Sequence, residues 1–117
     1  MIIKVRENIY NELIADVMLN GHFMGTLMVD TGSSDIMLNE KFIKLLNLGE
    51  PISVDSVDTG NGRLACKTYH LDSIECSGHI KANQRVIWND YAEGDGFDGI
   101  LGRAFFAGED EITLKKV

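Results

Sequence analysis

Asp30 stands at the end of an apolar run, Leu27-Met28-Val29, and is followed at once by Thr31, Gly32, Ser33 and Ser34. An ionised carboxylate in such a place is costly unless hydrogen-bond donors meet it; without them it takes up a proton. The loop supplies the donors. Gly32 lets a backbone N–H approach closely, and Thr31 and Ser33 each carry a hydroxyl. A carboxylate held this way can keep or give up a proton. The same tripeptide recurs at Asp58-Thr59-Gly60, but there the neighbours Ser53, Asp55, Ser56 and Asn61 are polar and no buried strand leads in. That copy reads as part of a turn. His22, His70 and His79 lack metal-ligand spacing, and Glu93, Asp95 and Asp98 lack the order and terminal Glu of a calcium loop. Cys66 and Cys76 are too few for a cluster or a disulfide framework and read as free thiols. No metal site is expected.

The elements around Asp30 are mostly strands. From Leu13 to Leu19 apolar residues recur every second position, and Asn20-Gly21 is a strong hairpin signal. Phe23 to Val29 is apolar enough for a central returning strand that delivers the chain to Asp30. One helix is predicted over 39–49: Asn39 caps it, Phe42, Ile43, Leu45 and Leu46 form its stripe, and Gly49 with Pro51 ends it. Residues 52–58 and 63–76 are expected to form a hairpin about Thr59, Gly60, Asn61 and Gly62. Ser77-Gly78 turns the chain into a strand over 80–88 that buries Val86, Ile87 and Trp88. A last short strand carries Ile112 and Leu114. Five to seven short strands and one main helix predict an all-β fold, a small closed barrel.

The chain's 117 residues make one domain, 9–117, preceded by an N-terminal arm over 1–8. Lys plus Arg is 11 against 18 for Asp plus Glu, a net charge of −7, which argues against a nucleic-acid or anionic-membrane binder. No apolar run reaches the ~20 residues of a membrane span, and no signal segment is visible. With two unpaired cysteines this favours a reducing, cytoplasmic setting.

Val29-Asp30-Thr31-Gly32-Ser33-Ser34 resembles the catalytic loop of the aspartic proteases. The rest of the chain is similar to the single-domain, retropepsin-like branch, and most similar to the bacterial gag-polyprotein-type members. A strand hairpin precedes the loop, Met37 to Phe42 resembles the segment that follows it, and Thr59 to Arg63 resembles the glycine-rich tip of the flap. Asp98-Gly99-Ile100-Leu101-Gly102-Arg103 resembles the second family signature.

The resemblance implies an acid-protease barrel and an aspartic endopeptidase acting on polypeptides, with no cofactor. Two aspartates share one proton and activate a water between them. One chain brings one such residue, so the resemblance implies a homodimer with Asp30 from each copy. It assigns Thr31 a bond across the two-fold axis and Gly32 the substrate backbone. Ser33 is assigned a bond to the outer carboxylate oxygen, which places the activity optimum at acidic pH. The flap is Thr59, Gly60, Asn61 and Gly62; the support is Asp98, Gly99, Ile100, Leu101, Gly102 and Arg103, with Arg103 paired to Asp35. Ala104 departs from the acidic or amide residue common there, and the C-terminal strand is short, so Ile2, Ile3 and Val5 of the arm are expected to pair with the partner. The alternative is a catalytically inactive module of the same fold for dimerisation or peptide binding.

Overall fold

Alternating apolar residues make the strands, and tight left-handed turns join them. In the computed structural model, which describes residues 1–60 and 62–117 and only the backbone of 57–59, the strands are β1 (Ile2–Glu7), β2 (Leu13–Leu19), β3 (Phe23–Val29), β4 (Ile36–Leu38), β5 (Ser53–Thr59), β6 (Gly62–Cys76), β7 (His79–Trp88), β8 (Gly99–Leu101) and β9 (Thr113–Lys116). Asn20 and Gly21 both have positive φ between β2 and β3, as do Ser77 and Gly78 between β6 and β7. That double left-handed geometry matches the right-handed twist of the strands it joins.

The sheet order is β5-β6-β7-β4-β8-β3-β2-β1-β9, and a further pairing of β6 with β2 closes six strands into a barrel. Its interior holds Ala15, Val17, Leu19, Leu27, Ile36, Leu38, Leu71, Ile74, Val86 and Leu101, each at most 1% exposed. The expected all-β barrel with one helix is the fold observed. The strand number is larger than the five to seven expected, because β4 and β8 are three residues each and too short to show a period.

Two boundaries differ from expectation. Helix α1 runs Glu40–Leu46, with the Asn39 side chain accepting from Phe42 N–H, and it ends at Asn47 rather than at Gly49. Asn47 takes the left-handed conformation, φ 51°, which asparagine tolerates better than most residues. The N-terminal residues, expected to reach a partner, pair at home. β1 lies antiparallel to β2 and parallel to β9, with Ile2 opposite Thr113 and Val5 opposite Lys116. Ile3 and Val5 are buried in the chain's own core.

Candidate active site

The feature that positions Asp30 is a crossing of strands. β3 leads into the Asp30 loop and β4 leads out of it, yet the two do not pair. β8 lies between them, parallel to β3 (Leu27 with Gly99, Val29 with Leu101) and antiparallel to β4 (Ile36 with Leu101, Leu38 with Gly99). The loop is thus tied at both ends to a strand from far along the chain. Asp30 N–H donates to Leu101 O at 3.1 Å, Arg103 N–H to Ser33 O at 2.8 Å, and Ala104 N–H to Ser34 O at 2.9 Å. Backbone groups make these ties, so Ala104 anchors the loop with no polar side chain.

The close fit explains the glycines of the second motif. A Cβ at Gly99 would stand 2.0 Å from Met37 O, and one at Gly102 would stand 2.1 Å from Asp35 O. Asp98 fastens the entry to β8: its carboxylate accepts from Thr26 N–H at 2.9 Å, and its own N–H donates to Thr26 O at 2.7 Å. Glu93 has a separate task, accepting from Glu40 N–H at 2.9 Å. The three acidic residues of this segment therefore do not form one site.

Within the loop, Asp30 is half-buried and Thr31 and Gly32 are exposed. Gly32 N–H donates to Asp30 Oδ1 at 2.9 Å, and a Cβ on Gly32 would meet the same oxygen at 3.1 Å. The Ser33 hydroxyl turns the other way and donates to Asp35 O at 3.4 Å. The acidic optimum tied to Ser33 loses that donor. Nor does Arg103 pair with Asp35. Its Nη1 donates to Thr31 O at 3.4 Å, while Asp35 Oδ2 accepts from Ser34 Oγ at 3.0 Å. Arg103 holds the loop by a carbonyl instead of by charge. The Thr31 hydroxyl has no partner in this chain among the described residues.

Sequence reasoning gave Ile100 a supporting role but gave the residues in line with it on this face no part in the site. Met28 of β3, Ile100 of β8, Met37 of β4 and Ile87 of β7 stand opposite one another in turn. Their neighbours Leu27, Leu101, Ile36, Leu38 and Val86 fill the barrel, so this row faces outward. Asp30 is two residues beyond Met28 and falls on the same side. Alternation from Leu27 could have located Met28; the other three needed the register.

At its other end this row meets the β5–β6 hairpin, where Thr68 pairs with Ile87. Residues 62–66 of β6 pair with β5 alone, so the hairpin leaves the barrel as a two-stranded ribbon. A Cβ at Gly60 or Gly62 would meet nothing within 4 Å. Of the expected flap residues, Asn61 and the Thr59 side chain lie outside the described residues. A hollow of about 390 Å³ lies away from this row, beside the end of α1, lined by Ile43, Lys44, Asn47, Leu48 and Tyr69 among others. Cys66 and Cys76 are both free thiols, the first half-buried and the second buried.

Comparison with known proteins agrees with this geometry. The model of the aspartyl protease family matches residues 15–105. The crystal structure of a retropepsin-like aspartic protease from Rickettsia conorii superposes with a TM-score of 0.72 over 92% of this chain and 87% of that chain, at 21% sequence identity. The fold is therefore retropepsin-like. Among curated proteins none matches this chain. No helix among the described residues is long and apolar enough to cross a membrane.

Proposed function

Because this chain belongs to the aspartyl protease family, we propose that it is an endopeptidase whose active form is a homodimer, with Asp30 of each copy flanking one water. The observation that carries the proposal is the placement of Asp30. Its carboxylate accepts from Gly32 N–H, half-buried at the end of β3 and tied by its backbone to β8. A carboxylate kept there, open on one side, is half of a cleft.

In the dimer two like carboxylates that close cannot both ionise comfortably, so they share one proton. The ionised member takes a proton from water, and the water attacks the peptide carbonyl. The protonated member donates to the carbonyl oxygen. No cofactor enters this scheme. Thr31 is exposed, and its hydroxyl, without a partner in its own chain among the described residues, bonds across the two-fold axis. Gly32 O, on the exposed loop, accepts from substrate backbone. The hairpin tip, Thr59, Gly60, Asn61 and Gly62, closes over the substrate as a flap. Asp98 to Arg103 hold the loop from behind through the contacts of β8. Met28, Ile100, Met37 and Ile87 supply an apolar floor for the substrate side chains.

A second reading is a catalytically inactive module of the same fold, serving in dimerisation or peptide binding. The pairing of β1 within its own chain favours the peptide-binding form of this reading, since a strand paired at home is not offered to a second copy.

Cleavage of a mixed peptide library separates the two. Wild type is expected to cleave, Asp30→Asn to lose about 100- to 10,000-fold in rate, and Asp58→Asn to retain activity. A dimeric wild type that cleaves nothing supports the inactive module. Asp30→Asn cleaving as wild type does would reject Asp30 as the catalytic group.

A further inference from the structure

Asn8 follows β1, and its side chain organises the turn into β2. Its Oδ1 accepts from Tyr10 N–H at 2.9 Å and from Glu12 N–H at 3.0 Å, and its Nδ2 donates to Glu12 Oε1 at 2.9 Å. Backbone bonds from Asn8 N–H to Glu12 O and from Asn11 N–H to Asn8 O, both 3.1 Å, close the same turn. One further bond of the carboxamide leaves the turn: Nδ2 also donates to Gly96 O, 88 residues on, at 3.2 Å. A carboxamide has two N–H donors and an oxygen with two lone pairs, so the half-buried Asn8 side chain is fully engaged.

Gly96 sits in a segment with little else to hold it. Among the described residues, Gly94 to Phe97 make no other hydrogen bond. The fit against the turn is close: a Cβ at Gly96 would stand 2.8 Å from Asn8 Nδ2 and 3.0 Å from the Tyr10 ring. Two residues later, Asp98 is fastened to Thr26 of β3. The turn lies toward the other end of β3, since Ile14 pairs with Met28 and continued antiparallel register brings Glu12 level with Asp30. Residues 96–98 therefore run beside β3, from the turn near Asp30 back to Thr26. The open part of the apolar row ends here as well. Beyond Met28 its next member is Ile14 of β2, which is buried.

We propose that Asn8 is a positioning residue for peptide binding. It latches the segment Gly94 to Phe97 and so fixes the border of the cleft at the Met28 end of the row. This role presupposes the peptide cleft proposed for Asp30. Asn8 makes no hydrogen bond to the Asp30 loop among the described residues. Loss of the latch therefore weakens the hold on the peptide and leaves the chemical step alone.

Truncating Asn8 would undo the turn along with the latch, so the informative variant exchanges the two partners, Asn8→Asp with Glu12→Gln. The carboxylate at position 8 still accepts from both N–H groups of the turn, and the amide at position 12 donates to it. The turn keeps its bonds and the donor to Gly96 O is gone. Glu12→Gln alone keeps that donor and is the control. In ¹⁵N relaxation the N–H order parameters of Gly96 and Phe97 are expected at about 0.85 in wild type and control, and below about 0.6 in the double variant. On a peptide that wild type cleaves, the double variant is expected to raise KM about tenfold with kcat within about twofold. Order parameters that the double variant leaves unchanged overturn the latch. A KM that stays at the wild-type value overturns its part in peptide binding. A wild type that cleaves nothing rejects the endopeptidase and not the latch, which the order parameters decide without substrate.

Discussion

The Asp30 carboxylate accepts from Gly32 N–H at 2.9 Å, and a Cβ on that residue would come to 3.1 Å from the same oxygen, which would have to shift by a few tenths of an ångström. Sequence alone located this pair, since an acid after a buried strand must be met by donors and glycine is the residue that lets the backbone supply one. It did not locate the bonds of Ser33 and Arg103. Both were expected to serve carboxylates, and both are bonded to carbonyls, of Asp35 and Thr31. The direction of a hydroxyl or a guanidinium is decided by which acceptors the fold brings near, and that information is not local.

The cysteines give a prediction at the same scale. Burial raises the Cys76 thiol above its ordinary value of 9.0; a hydrogen bond with Ser77 opposes this and the charge of Asp16 adds to it. The folded state therefore favours the neutral thiol. The stability this contributes is fully present below the unfolded value and is lost as pH rises from 9.0 through the higher folded value. Urea denaturation of wild type and Cys76→Ala across this range is expected to show the wild type losing ground to the variant at alkaline pH. A stability difference between them that does not change with pH would contradict it.

At the scale of elements, the decisive arrangement is β8 between β3 and β4. The segment Asp98 to Gly102 was legible as a motif, but its place between two strands some 60 to 70 residues earlier in the chain was not. Parallel pairing at long range leaves no period in the sequence, and three-residue strands show none of their own. The long hairpins were legible because turn and alternation sit side by side. The end of α1 was misplaced because two residues able to adopt positive φ, Asn47 and Gly49, follow one another closely, and the first one stops the helix.

The crossing makes a strong demand on Gly102. Gly102→Ala puts a methyl against Asp35 O, a backbone atom that cannot swing aside. It is expected to cost about 3 kcal/mol or more, at the upper end of overpacking penalties. Gly60→Ala, which meets open space, is expected to stay within about 0.5 kcal/mol of wild type. Thermal melts of the two variants decide this, and equal losses would mean that the tight packing at β8 does not carry the fold.

For the whole molecule, the proposed homodimer requires two acidic copies to meet. Each carries −7, so approach is opposed at long range, and salt shortens that repulsion from about 10 Å at 0.1 M to about 3 Å at 1 M. The chain also brings fewer free strands to the encounter than its sequence suggested. β1 is folded against β2 and β9, with Ile3 and Val5 in the core, and every residue of β9 is exposed. With β1 paired at home, contact between copies that each carry −7 is sensitive to both salt and acid. Sedimentation equilibrium is expected to show self-association that tightens several-fold as salt rises, and again as acidic pH removes negative charge. Specific activity should follow the same curve, rising with protein concentration and levelling where the dimer saturates. If cleavage per chain stays constant down to concentrations at which only monomer sediments, one Asp30 suffices and the shared-proton scheme falls. If the dimer forms and tightens as described but no peptide is cut under any of these conditions, the fold has kept its pairing and not its chemistry.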